Sequence, residues 1–229
     1  MKIGILCAGD REIVPFVPMI RDVRISEKAM LKIYEGKMEG VEVAALFSGV
    51  CRVNAAIAAQ ILIDGCDCDA IINAGTAGGM APEVGLLDVI VGAEAVYHDV
   101  DVDVLAEFCP EEERRVFRTD GKLLSWAHGA AEEFEHPIHF GCMATGEKFI
   151  TDEGRDEINA VFSPLSVDME TAAVAQVCRR NGIPFIAVRT ITDTADHSGN
   201  EAFFENLDKA ARISAEFVRR MIHEISEHS

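Results

Sequence analysis

MKIGILCAGDRE, residues 1–12, opens with an apolar run, Ile3 to Cys7, that meets Ala8-Gly9 and then three charged residues, Asp10, Arg11 and Glu12. This is the pattern of a buried strand ending in a glycine loop, the usual place to cradle a phosphate on bare amides. The loop instead delivers carboxylates, which leaves the task of Glu12 open. The same unit recurs downstream. Apolar runs at 41–47, 70–73, 89–96, 139–144, 166–169 and 184–188 read as strands. Segments with apolar residues at helical spacing read as helices at 51–64, 123–134, 171–182 and 201–225, the third closed by Asn181-Gly182. Strand, glycine-containing loop and helix in repetition predict an α/β domain with a central, mostly parallel sheet flanked by helices. In such folds ligands sit beyond the carboxyl ends of the strands. The residues to weigh are therefore those at 9–12, 48–50, 74–79, 145–150, 168–170 and 190–196.

The 229 residues suit one sizeable domain, and 49% apolar with 26% charged residues is an ordinary globular balance. The charge is not ordinary: 21 Lys+Arg against 39 Asp+Glu give −18. A surface that acidic repels nucleic acid and anionic membranes, so a small-molecule ligand is expected. No apolar run has the length of a membrane span, and the first one stops short of a secretory core. Seven cysteines, an odd number without a C-x-x-C pair, read as free thiols in a reducing compartment, and a cytoplasmic location is expected. Asp99-Val-Asp101-Val-Asp103 has metal-like spacing but equally the alternation of an exposed strand face. His136 and His139 also have metal-like spacing, with a solvated loop as the plainer reading. Residues 109–115, CPEEERR, read as a solvated charge run.

Carboxylates stand at three predicted strand ends: Glu12, Asp168 with Glu170, and Asp193 with Asp196. Converging acids hold a metal, form a general acid/base pair or grip sugar hydroxyls. NAGTAGG, 73–79, is a small-residue loop that lets a ligand approach the backbone, and Thr76 offers a hydroxyl, but it lacks the G-x-G-x-x-G spacing of a dinucleotide fingerprint. Phe149 follows a strand and would stack on a base if the ligand is a purine.

Taken together, FSGVCRVNAA (47–56), INAGTAGGMAP (72–82), VYHDVDV (96–102), TGEKFI (145–150), VDMETAAVAQVC (167–178) and VRTITDTAD (188–196) resemble the 5′-methylthioadenosine/S-adenosylhomocysteine nucleosidases. They follow in that family's order behind MKIGI…E, and the likeness runs nearly the whole length, weakest at 104–140. The resemblance implies one nucleoside phosphorylase-like domain over 1–229, a homodimer, and no metal or cofactor. It also implies hydrolysis that releases adenine from 5′-methylthioadenosine, S-adenosylhomocysteine or 5′-deoxyadenosine, in methionine salvage and removal of methyl-cycle by-products. By position, Asp193 would protonate purine N7 and Glu12 would activate water, with Thr76 and Arg189 holding that water. Met169 would lie against the ribose and Glu170 would bind its hydroxyls. Ala77, Gly78, Phe149, Ile150 and Thr192 would surround the purine. Gly9, Val50, Val102, Leu105 and Phe203 would line the pocket for the 5′ group.

Phosphorylases share the fold but carry an arginine where this chain has Asn73, and basic residues in the first loop where it has Glu12. A carboxylate there repels phosphate and suits water, which favours the hydrolase. The departures from the family cluster on the 5′ side. Gly9 replaces a methionine, Asp10 and Arg11 replace two acids, Leu105 replaces an aromatic, Asp103 a smaller residue, and an FGYEYGQ-like stretch is absent. Asp168 stands for a glutamate, and Lys148 is an unusual cation beside the purine loop. The alternatives are a nucleosidase for another 5′-modified adenosine such as aminofutalosine, and a non-catalytic adenosine binder on the same fold.

Overall fold

The computed structural model describes residues 1–101, 104, 107, 116–151, 154–195 and 200–228. Val102, Asp103, Leu105, the run 109–115 and Asp196 lie outside the described residues. One ten-stranded sheet organises the chain. Its centre holds β1 (Lys2–Cys7) between β4 (Val41–Phe47) and β5 (Ala70–Gly79), all parallel, and β10 (Phe185–Asp193) continues on the far side of β5, again parallel. β6 (Val89–Tyr97), β8 (Ile138–Thr145) and β9 (Ser166–Asp168) form a second parallel set that joins the first through antiparallel contacts, β6 with β10 and β9 with β5. The short β7 (Val116–Arg118) pairs antiparallel with β6, and the sheet is therefore mixed.

The central strands read as near-continuous apolar runs because both faces are covered. One face packs on α3 (Gly121–Ala131) and α6 (Asn200–Glu227) through Trp126, Phe217, Met221 and Ile225; the other packs on α2 (Arg52–Cys66) and α5 (Thr171–Asn181) through Ala58, Leu62, Val174 and Cys178. Asp120 starts α3 by accepting the amides of Lys122 and Leu123, and Gly182 ends α5 in the left-handed conformation.

Four expectations change. The 74–79 segment is not a loop: it extends β5, with Ala74 to Gly78 in register with β10 and Gly78 and Gly79 with β9. Its small residues carry no apolar signal, yet they let a strand pass between two neighbours. β10 likewise runs on to Asp193, with a register shift between Ile191 and Asp193. The hairpin of β2 (Arg21–Lys28) and β3 (Leu31–Met38) is additional; β2 is exposed along its whole length, so no buried face marks it in the sequence. The 99–101 aspartates lie beyond the end of β6 rather than on a strand face. Cys7, Cys66, Cys68 and Cys178 are buried free thiols.

Candidate active site

The ends of β1, β5, β9 and β10 open into a cavity of about 250 Å³. Of the expected site residues, Gly9, Glu12, Val50, Thr76, Ala77, Gly78, Phe149, Met169, Glu170, Thr192, Asp193 and Phe203 line it. Arg189 and Ile150 do not. Phe204 and Leu207, not singled out in the sequence, complete the apolar end. Their helical spacing on α6 placed them on a long amphipathic helix, but nothing local tied that helix to the site.

The first loop resolves the question posed by its charge. Residues Asp10–Ile13 form a single helical turn, α1, that aims Glu12 back over the end of β1. Its Oε2 accepts the amides of Ala8 (2.9 Å) and Gly9 (2.8 Å), and its Oε1 accepts the amide (2.7 Å) and hydroxyl (2.8 Å) of Thr76. The amide cradle that would hold a phosphate is thus filled by the chain's own carboxylate. Gly75 makes this possible: φ is +152°, and a Cβ there would lie 2.5 Å from Glu12 Oε1.

Asp193 has the opposite environment. It is almost fully buried, and its Oδ1 accepts the Thr192 hydroxyl at 2.8 Å. Burial pushes its carboxyl above the ordinary aspartate range, against the pull of the Thr192 bond and of Arg155. The register shift in β10 turns both residues toward the cavity.

Beside the cavity lies a buried ionic cluster. Arg189, fully buried behind the cavity wall, donates to Asn73 Oδ1 (2.8 Å), the Thr76 carbonyl (3.4 Å) and Glu170 Oε2 (3.5 Å), and its Nε is 3.4 Å from Asp168 Oδ2. Glu170 Oε1 accepts the amide of Cys51 at 2.9 Å. Burial pushes the Glu170 carboxyl up to about 7; Arg189 pulls it down, and Asp168 adds to the rise. The shorter Asp168 still reaches its partners: Oδ1 accepts the Thr145 hydroxyl (2.7 Å) and the amides of Glu170 (3.1 Å) and Thr171 (3.0 Å).

Phe149 is 41% exposed at the mouth and meets Phe203 edge-to-face, ring centres 5.8 Å apart, and Phe203 meets Phe204 the same way at 5.2 Å. Ile150 packs its side chain beside the small apolar cluster of Met80, Val96 and Val167. Lys148 is exposed and not part of the cavity wall. Among the described lining residues the cation is Arg11, which pairs with Asp208 at 2.8 Å. No cluster of three metal-ligating side chains occurs among the described residues, and His139 instead meets Asp88 at 2.9 Å.

Two carboxylates in contrasting environments beside one cavity suit acid/base chemistry on a bond held between them. Comparison with known proteins agrees with that reading. The family model described as the phosphorylase superfamily matches residues 2–223. The structure is similar to a 5′-methylthioadenosine/S-adenosylhomocysteine nucleosidase from Neisseria meningitidis in complex with methylthio-immucillin-A, at 31% identity and a TM-score of 0.88, covering 97% of this chain and 98% of that one. It is similar to the corresponding nucleosidase of Colwellia psychrerythraea in complex with adenine, at 30% identity and a TM-score of 0.89, covering 98% and 95%. It is also similar to a futalosine hydrolase of Helicobacter pylori, at 27% identity and a TM-score of 0.88, covering 98% of each chain.

Proposed function

The chain belongs to the 5′-methylthioadenosine/S-adenosylhomocysteine nucleosidase family of the phosphorylase superfamily, and from that premise we propose that it hydrolyses the N-glycosidic bond of 5′-thio-substituted adenosines, releasing adenine and the thioribose. The observation that carries this reading is the contrast between Glu12, held by four donors, and Asp193, which among the described residues accepts from the Thr192 hydroxyl and is pushed by burial toward its protonated form. Asp193 gives its proton to purine N7, so that N9 leaves with the bonding electrons as neutral adenine. Glu12 accepts a proton from a water that attacks C1′ of the oxocarbenium-like ribose from the other side, the two-carboxylate logic of glycoside hydrolysis. Glu170 accepts the 2′- and 3′-hydroxyls, Met169 packs under the sugar, and Phe149 stacks on adenine, with Ala77, Gly78, Thr192 and the Ile150 backbone around the base. Thr76 and, from behind the wall, Arg189 keep Glu12 and Glu170 in place around the water. The carboxylate in the first loop, and an Arg11 already paired with Asp208, support water rather than phosphate as nucleophile.

Gly9 favours a second reading on the substrate side. With no side chain at this position and the exposed ring of Phe204 at the same end, the site has room for a 5′ group larger than methylthio, as in S-adenosylhomocysteine or an aryl-bearing adenosine such as aminofutalosine. A homodimer is supported by the exposed apolar row of Val50, Val53 and Ile57 beside the cavity mouth. Cytoplasmic methionine salvage and methyl-cycle clearance follow from the proposed substrates.

Adenine release from methylthioadenosine, S-adenosylhomocysteine and 5′-deoxyadenosine, measured without phosphate, tests the reaction. Turnover of at least one is expected, with Asp193→Asn lowering kcat by orders of magnitude while adenine still binds. Binding without any adenine release in the wild type would make the chain an adenosine-binding protein instead.

A further inference from the structure

Three segments meet at the cavity mouth through one side chain outside the catalytic set. Arg52, the first residue of α2, holds Asp99 with a two-pronged fork, Nη1 to Oδ1 at 3.0 Å and Nη2 to Oδ2 at 3.2 Å. Its Nε donates to Glu147 Oε1 at 2.6 Å, and its backbone amide reaches the same oxygen at 3.3 Å. The triangle closes on itself, because the Glu147 amide donates to Asp99 Oδ2 at 2.9 Å. The guanidinium lies 5.3 Å from the ring centre of Tyr97, which backs it from β6. The side chains of Arg52, Asp99 and Glu147 are 24%, 29% and 39% exposed.

What these contacts pin is specific. Glu147 lies two residues before Phe149, whose only ring partner among the described residues is Phe203. On the other side, Cys51 immediately precedes Arg52 and donates its amide to Glu170. Cys51 makes that bond at φ +77° and ψ 161°, a backbone region that glycine enters freely and other residues rarely do. Its thiol faces Glu147 as well. A strained residue on the ribose acid is therefore locked from behind by the same carboxylate that anchors the base-stacking loop.

We propose that Arg52 is a positioning residue that sets the spacing between the base-stacking Phe149 and the ribose-binding Glu170, acting through Glu147 and Asp99. This rests on the reading of the cavity as an adenine-nucleoside site. Without the fork, the loop at 146–151 must be ordered by the ligand, so binding weakens while the acid and the base stay where they are. An arginine is required because only a planar fork engages both carboxylates at once.

The test compares Arg52→Ala, Arg52→Lys and Glu147→Gln with the wild type. It uses adenine binding by calorimetry and kcat and KM on methylthioadenosine, with folding followed by thermal melting. Loss of one charge-assisted fork should raise KM and the adenine Kd about tenfold for Arg52→Ala, less for Arg52→Lys and Glu147→Gln, with kcat within about threefold. In a Phe149→Ala background the same Arg52→Ala change should add little to the adenine Kd, because the residue acts through that ring. Unchanged adenine affinity in folded Arg52→Ala, or full additivity with Phe149→Ala, overturns the proposal. If Arg52→Ala does not fold, Glu147→Gln decides, and wild-type affinity in that variant overturns it equally. A wild type that neither binds adenine nor cleaves any adenosine removes the site reading itself, a result distinct from an active wild type with indifferent variants.

Discussion

Replacing Gly75 by alanine tests the link between backbone geometry and the base. The added Cβ would stand 2.5 Å from Glu12 Oε1, 2.7 Å from Cδ and 2.8 Å from Oε2, all shorter than the 3.4 Å at which ordinary contact begins. Restoring that contact requires the carboxylate to withdraw by the difference, about 0.9 Å for Oε1. Oε1 is the atom nearest the new Cβ, so the Thr76 amide and hydroxyl bonds to it, 2.7 and 2.8 Å long, are the ones most stretched. The bonds from Ala8 and Gly9 are disturbed less, because their acceptor, Oε2, starts farther from the new Cβ, at 2.8 Å. A base misplaced by this much costs roughly 100-fold in kcat. Holding alanine at φ +152° costs about 1–3 kcal/mol of stability besides, or roughly 2–12 °C in Tm for a chain of this size. Steady-state adenine release, inhibition by adenine and a melting curve on one preparation measure all three. Inhibition by adenine should stay at the wild-type level, since the wall at Ala77, Gly78 and Phe149 is untouched. A kcat within threefold of wild type would refute the argument that Gly75 exists to admit the Glu12 carboxylate. Loss of adenine binding in step with kcat would mean general collapse rather than a displaced base.

Glu12→Gln should lose kcat by orders of magnitude and also melt earlier. An amide turned toward Thr76 leaves that residue's N–H facing a donor at a cost of about 1–3 kcal/mol, so an unshifted Tm would contradict the four-donor cradle. Asp193→Asn should do the reverse to stability. The native carboxyl binds its proton more tightly than the unfolded one near 3.8, so wild-type stability falls as pH rises from that value through the raised native one. Asparagine carries no such penalty. The Tm advantage of the variant should therefore grow with pH across that window and then level off; a pH-independent difference would remove burial as the cause. Gly9→Met should be tolerated, because a Cβ there first meets Glu12 Cγ at 3.7 Å, an ordinary contact. It should raise kcat/KM for methylthioadenosine relative to S-adenosylhomocysteine about tenfold, for one or two newly buried methylene contacts. An unchanged ratio would place the 5′ group elsewhere.

Much of this was legible beforehand. The alternation of apolar runs with glycine loops and helices predicts an α/β sheet with a site at the strand ends, and the motif order points to the family. Glu12, Asp193 and Glu170 stand out in the sequence because carboxylates at the carboxyl ends of buried strands face the place where such folds bind ligands. The strand character of 74–79 was not legible, because alanine, glycine and threonine signal a loop locally and become a strand only when β9 and β10 supply the missing hydrogen-bond partners. Arg155 carried no signal in the sequence: at the start of the eight-residue α4 (Arg155–Phe162) it is buried, donates to the Gly79 carbonyl and pulls on Asp193. Arg52 likewise gave no signal, since Asp99 and Glu147 lie 47 and 95 residues away in the chain.

By itself the sequence determined the residue types available at each strand end, and with them a pair of acids and an acidic first loop ill suited to phosphate. Only the tertiary structure decided the surroundings of each acid. Glu12 and Asp193 are both buried carboxylates, but amides of Ala8 and Gly9 and the amide and hydroxyl of Thr76 converge on the first, whereas among the described residues the Thr192 hydroxyl reaches the second. The proton affinity of a carboxyl is set by solvation and by the donors that reach it, and those donors come from segments far apart along the chain.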